Sequence, residues 1–330
     1  MKSTKPFITH WNTENECRTK EDQIWLPIRG NYSLEWHEIS NPENKGELDD
    51  VTDNLIITFP NKGIYELRVW GGDTMNFEKA KNIKKFKKSS SFYFGKLVSV
   101  EQWGDNKWTS MDYFFYKCHQ LEINALDAPD LSKATSMMRT FYYAEKFNNN
   151  IDHWDVSTIK GMYEMFSSAN NFNQSINSWD VSNVEDFELM FAMASAFNQP
   201  LDKWDMSSAT EIRGMFIETP FNQPINTWDL SNVVSMDALF KSAENFNQLL
   251  DNWDVSKAED MQEIFYEAKS FNQPLNNWNP ESAKDMDSMF FDAVAFNQPL
   301  SNWNVGEVTN MNYMFRGAVS FNQRLEDWDV

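Results

Sequence analysis

Phe296-Asn-Gln-Pro-Leu-Ser-Asn-Trp303-Asn-Val-Gly-Glu-Val308-Thr-Asn-Met311-Asn-Tyr-Met314-Phe315-Arg-Gly-Ala318 is one copy of a unit that fills most of the chain. Its opening, Phe-Asn-Gln-x-Leu/Ile-x-x-Trp, occurs seven times between Phe172 and Trp328, almost always 25 residues apart. The one shorter step falls where Pro220 replaces the small-residue pair before Phe221. A fixed period of this size marks a stacked array. Each unit alone cannot bury its apolar side chains; stacked neighbours share a continuous core. Weaker copies extend the period back to Trp103, with Met111/Phe115 and Met137/Phe141 in register and Pro129 where Trp would stand. That gives ten turns.

Within the unit, Val308, Met311, Met314, Phe315 and Ala318 are spaced to share one face of a short helix, as are Ile159, Met162, Met165, Phe166 and Ala169. Trp303 and Val305 alternate about Asn304 as in a short strand. The expected fold is therefore an α/β repeat solenoid of leucine-rich-repeat type, with one short strand and one short helix per turn, over 96–330.

Residues 1–75 differ. Alternation in Tyr32–Trp36, Leu55–Phe59 and Ile64–Trp70, separated by turn-like segments, predicts a small all-β sandwich. Pro60-Asn-Lys-Gly63 reads as a hairpin turn between two of these strands. A connector, 76–95, holds Lys79, Lys81, Lys84, Lys85, Lys87 and Lys88, a basic patch or a solvated linker.

Charge is distributed unevenly. Residues 1–95 hold 14 basic and 14 acidic side chains; 96–330 hold 15 against 35, which accounts for the whole net −20. An acidic array is a poor nucleic-acid binder, because phosphate contact needs clustered Lys and Arg. No apolar run is long enough for a membrane span. The start, Met1 to His10, has no apolar stretch of the secretory kind. The two cysteines argue against a disulfide scaffold; Cys118 stands in a column otherwise filled by Ala, and a Cys17–Cys118 bridge is left open.

Two columns are assigned to structure. Asn173, Asn198, Asn222, Asn247, Asn272 and Asn297 are expected to bond the backbone of neighbouring turns through their amides. Trp179, Trp204, Trp228, Trp253, Trp278 and Trp303 are expected in the core. The Asp after most Trp, with Ser two residues on, suits a turn and N-cap; a calcium ladder is the alternative, and otherwise no cofactor is expected. The candidate binding face is His153, Ser178, Lys203, Thr227, Asn252, Asn277 and Asn302, short polar positions just before Trp. A second variable set is Tyr163, Glu188, Arg213, Asp237, Gln262, Asp287 and Asn312. The scattered His10, His37, His119 and His153 and the absence of phosphate-loop or nucleophile-elbow motifs give no enzyme constellation.

The repeat Phe-Asn-Gln-Pro-Leu-x-x-Trp-Asp-Val-Ser, followed by Met-x-x-Met-Phe-x-x-Ala, resembles that of BspA-type leucine-rich-repeat surface proteins, over about 96–330. Pro6 to Trp11, the Trp36 strand and Ile57 to Leu67 more loosely resemble the β-domain that precedes such arrays. The resemblance implies a cell-surface or exported protein, some members being linked with adhesion to host matrix proteins or with coaggregation. It supplies no catalytic residues. The expected function is non-enzymatic binding of a protein or glycan on a host or neighbouring cell. The alternative is a structural subunit of a layer, fibre or viral particle, joined to sibling subunits through the apolar end at Val330.

Overall fold

The computed structural model describes residues 3–15, 17, 19–72, 75–77, 95–326 and 328–329. The six lysines of the connector lie outside the described residues. By contacts the chain forms two compact units, one of residues 1–149 with 153–159, the other of 150–152 with 160–330.

The first unit carries the strands: β1 (Phe7–Asn12), β2 (Gln23–Leu26), β3 (Ile28–Arg29), β4 (Tyr32–Glu38), β5 (Asn41–Val51), β6 (Leu55–Thr58), β7 (Ile64–Trp70), β8 (Asn76–Phe77), β9 (Leu97–Gln102) and β10 (Glu122–Ile123). They form one six-stranded sheet in the order β10-β9-β1-β7-β4-β5 and two ribbons, β2-β6 and β3-β8. Period-two patterning is visible in β7, where Tyr65, Leu67 and Val69 are buried and Ile64 and Arg68 exposed. The Pro60–Gly63 segment is not a hairpin turn: β6 pairs with β2, while β7 pairs with β1 and β4. Phe7 stacks on Trp103 and meets Trp108 and Phe114 edge-on, which roots β1 in an aromatic core.

The second unit holds most of the repeat array, and it corrects the expected α/β solenoid. There is no helix among the described residues, and the strand expected at Trp303–Val305 is absent as well. What pairs instead is one residue per turn: Gly161, Asp186, Glu211, Ser235, Asp260, Asp285 and Asn310 form single parallel bridges, each to the next. The segment after each bridge is a run of tight turns. Phe265 accepts from Ala268, and Glu263 from Tyr266, three residues on. The amides of Met261, Glu263, Phe265 and Glu267 instead donate to Asp285, Asp287, Met289 and Phe291 in the next turn.

The physical reason lies in the backbone. Glu263 and Glu267 have φ of 54° and 52°, and the equivalent pair recurs in every turn, as in Ser288 (53°) and Asp292 (51°). A left-handed residue costs an L-amino acid roughly 1–2 kcal/mol, and two of them four residues apart interrupt any helical ladder. The alternate amides this frees are satisfied by the next turn. None of the left-handed positions from Glu164 to Tyr313 holds a β-branched residue, the kind least able to adopt φ > 0. The apolar spacing of three, three, one and three survives because a tight turn also repeats every three to four residues.

The apolar columns fill the interior. Phe265 stacks on Phe240 and Phe290, Phe271 on Phe246 and Phe296, and Trp253 on Trp228 and Trp278, with centroids 5.5 to 6.2 Å apart. Full burial of side chains this size contributes roughly 1.5–3 kcal/mol each.

Candidate recognition face

The Asn column works through one atom. Asn247 Oδ1 accepts the backbone amide of Asn272 at 2.9 Å and Gln273 Nε2 at 3.0 Å. The same pair of contacts runs from Asn173 to Asn198 and Gln199, from Asn198 to Asn222 and Gln223, from Asn222 to Asn247 and Gln248, from Asn272 to Asn297 and Gln298, and from Asn297 to Asn322 and Gln323. Sequence reasoning missed the Gln as the second donor, although Phe-Asn-Gln recurs as a block. From Trp179 to Trp303 each Trp of the column is buried and donates Nε1 back one turn: Trp179 to the Ile151 carbonyl, Trp204 to Ile176, Trp228 to Leu201, Trp253 to Ile225, Trp278 to Leu250 and Trp303 to Leu275, at 2.8 to 3.1 Å.

Each residue of the candidate binding face, His153, Ser178, Lys203, Thr227, Asn252, Asn277 and Asn302, is exposed. Several are tied into the stack, however. Ser178 donates its hydroxyl to the Asp152 carbonyl and Thr227 to that of Asp202. The amides of Lys203, Asn252 and Asn302 are held by Asn177, Asn226 and Asn276 side chains. The Asp column closes turns: Asp180 Oδ1 accepts the amide and hydroxyl of Ser182, and Asp205, Asp229 and Asp254 accept the amides of Ser207, Ser231 and Ser256. Those carboxyls need no helix to cap. Among the described residues no group of three or more His, Cys, Asp or Glu is placed to hold a metal ion.

The bridged segment offers a more varied surface. Its backbone is fixed turn by turn by the same bonds, while its outward side chains change. The early turns are acidic: Asp186, Glu188, Glu211 and Asp237, with Arg213 paired to Asp237 at 2.8 Å and near Glu188 at 3.9 Å. Loss of solvent pushes all four carboxyls above their usual range, and Asp186 adds to the rise at Glu211. The later turns keep carboxylates such as Glu263, which pairs with Lys241 at 2.6 Å, and add aromatic and cationic side chains. The position after Phe240, Phe265, Phe290 and Phe315 is Lys241, Tyr266, Phe291 and Arg316 in succession. Tyr266 stacks on Phe291 at 4.6 Å, Lys241 caps Tyr266 at 4.7 Å, and Arg316 caps Phe291 at 5.3 Å. Both rings are half-buried, with faces taken by neighbours and edges left to solvent. This column was legible only as the variable residue following each Met-Phe or its equivalent.

Ser195, Glu218, Thr219, Pro220, Ser242 and Glu244 help line an open polar cavity of about 480 Å³.

Such a face, repeated on an invariant interior, is the hallmark of a repeat family, and one matches: the family described as "Mycoplasma protein of unknown function, DUF285" covers residues 109–220 and 205–295, more than half the chain. The chain belongs to this family. No curated protein and no solved structure matches it. The DUF285 matches overlap at 205–220, as expected where one repeat pattern can be laid down in successive registers. No helix among the described residues is long and apolar enough to cross a membrane.

Proposed function

We propose that this DUF285 protein is a non-enzymatic recognition protein, and that the bridged face of its repeat array binds a protein or glycan partner at the cell surface. One observation supports the choice of face. The backbone from Asp186 to Arg316 is held by identical inter-turn bonds while its side chains run from carboxylates to a cation-capped aromatic pair. A rigid scaffold with variable exposed groups loses little entropy on binding. Aromatic and Arg side chains are also those that most often anchor interfaces. The resemblance to BspA-type repeats supports the surface location and an adhesive role.

The test is direct binding of the full chain to immobilised matrix and cell-surface glycoproteins, before and after deglycosylation. Tyr266→Ala/Phe291→Ala is measured beside Asn252→Ala/Asn277→Ala. The proposal expects the first pair to weaken binding at least tenfold, about 1.4 kcal/mol, with the unfolding midpoint little changed. Unchanged binding by that pair, or loss only in the second, would move the contact to the Asn252 column.

A further inference from the structure

We infer that Cys17 and Cys118 form an intramolecular disulfide that ties the loop after β1 to the turn before β10. They are the chain's two cysteines, both fall in the first compact unit, and the structure holds both as unbridged thiols. The fold brings their segments together around the start of β9. On one side, the loop is clamped before and after Cys17. The Asn12 amide donates to the Lys96 carbonyl at 2.8 Å and Asn15 Nδ2 to Gly95 at 2.9 Å. Beyond Cys17, Lys96 Nζ reaches the carbonyls of Lys20 at 2.7 Å and Gln23 at 2.9 Å. On the other side, Cys118 sits in a tight turn, its amide bonded to Phe115 and its carbonyl to the Leu121 amide. That turn leads directly into β10, which lies parallel to β9.

The two segments then share a cavity. Asn12, Asn15 and Gly95 line it together with His119 and Gln120, the residues that follow Cys118. Residues beside one cysteine therefore line the same cavity as residues beside the other. Burial pushes the Cys118 thiol well above its ordinary value, and the charge of the Cys17 thiolate adds to the rise. Cys118 is fully buried and Cys17 half-buried.

The chemistry is thiol–disulfide exchange with a small-molecule disulfide, RSSR. The Cys17 thiolate attacks one sulfur of RSSR, giving the mixed disulfide Cys17–S–S–R and releasing RS⁻. The Cys118 thiolate then attacks the Cys17 sulfur and releases the second RS⁻. Two protein thiols lose two electrons and two protons; RSSR gains them and leaves as two RSH. Because a buried thiol is a slow nucleophile, the second step runs fastest during folding, before the turn around Cys118 closes.

The test uses the full chain, reduced, unfolded and refolded in a mixture of reduced and oxidised glutathione. It is then denatured, alkylated and weighed. The bridge predicts no alkylation, a mass lower by two hydrogens, and a linked pair of peptides containing residues 17 and 118; dithiothreitol restores two alkylated sites. It also predicts a thermal midpoint several degrees higher for the oxidised chain, with no such gain in Cys17→Ser, which keeps the midpoint of the reduced protein. Two alkylated cysteines after refolding, a glutathione adduct on Cys17 beside an alkylated Cys118, or a covalent dimer would each overturn the assignment.

Discussion

The side-chain carbonyl of Asn247 accepts both the backbone amide of Asn272, 25 residues on, and the side-chain amide of Gln273. Both bonds use the oxygen. Asn247→Ala should therefore destabilise the chain by about 1–3 kcal/mol, leaving two half-buried donors without it. Asn247→Asp keeps the acceptor and should cost less. Urea midpoints of the two variants decide this: equal losses would mean that the oxygen is not what the column supplies.

Trp253 lies between Trp228 and Trp278 and bonds Ile225. Trp253→Ala should cost about 3–5 kcal/mol, the range for emptying a large buried site. Trp253→Phe should fall between, since it keeps most of the packing and loses the Nε1 bond. A loss under about 0.5 kcal/mol for the Ala variant, the range of surface substitutions, would mean the column is not core.

Much of this was readable in the chain. The period, the interior columns of Phe, Trp and Met, and the strand segments near Tyr32, Leu55 and Ile64 follow from spacing alone. The helix did not survive, because Met311, Met314, Phe315 and Ala318 would share a face in a helix and also in a run of tight turns. What separates the two is φ at positions such as Tyr313, and nothing in side-chain hydropathy reports it. The signal available was negative: no β-branched residue at those positions, and a segment too short to hold as a helix. Asn-Pro is a dipeptide that ordinarily marks a turn, yet Asn41-Pro42 opens β5, an edge strand where proline's missing donor does no harm. At the candidate face, exposure of Ser178 and Thr227 was foreseeable; that their hydroxyls bond the preceding turn was not.

Acidity should move stability in a definite direction. Asp186, Glu188, Glu211 and Asp237 have raised carboxyl values. Their contribution is fully present below the ordinary carboxylate range and is lost as pH rises through their folded values. Asp205 and Asp254 are held low by bonds from Ser207 and Ser256. Their contribution is present above the ordinary range and is lost as pH falls below it. Stability should thus peak at mildly acidic pH, about 5, just above the usual carboxylate values near 4. Arg213→Ala should sharpen the loss toward neutrality, since Asp237 and Glu188 lose their cation. Urea midpoints taken from pH 4.5 to 8 test this; a midpoint at pH 7.5 equal to or above that at pH 5 contradicts it.

The account rests on turns in place of helices, and Met193→Gly tests that most directly. Met193 has φ of 60° and is 45% exposed, so little packing is at stake. In a helix interior the change would lower stability by about 0.5–1 kcal/mol. At a left-handed position it should raise stability by a similar amount, because glycine adopts φ > 0 without the Cβ clash. A urea midpoint above that of the parent is the predicted result; one below it would contradict the left-handed turns and return the segment to a helix.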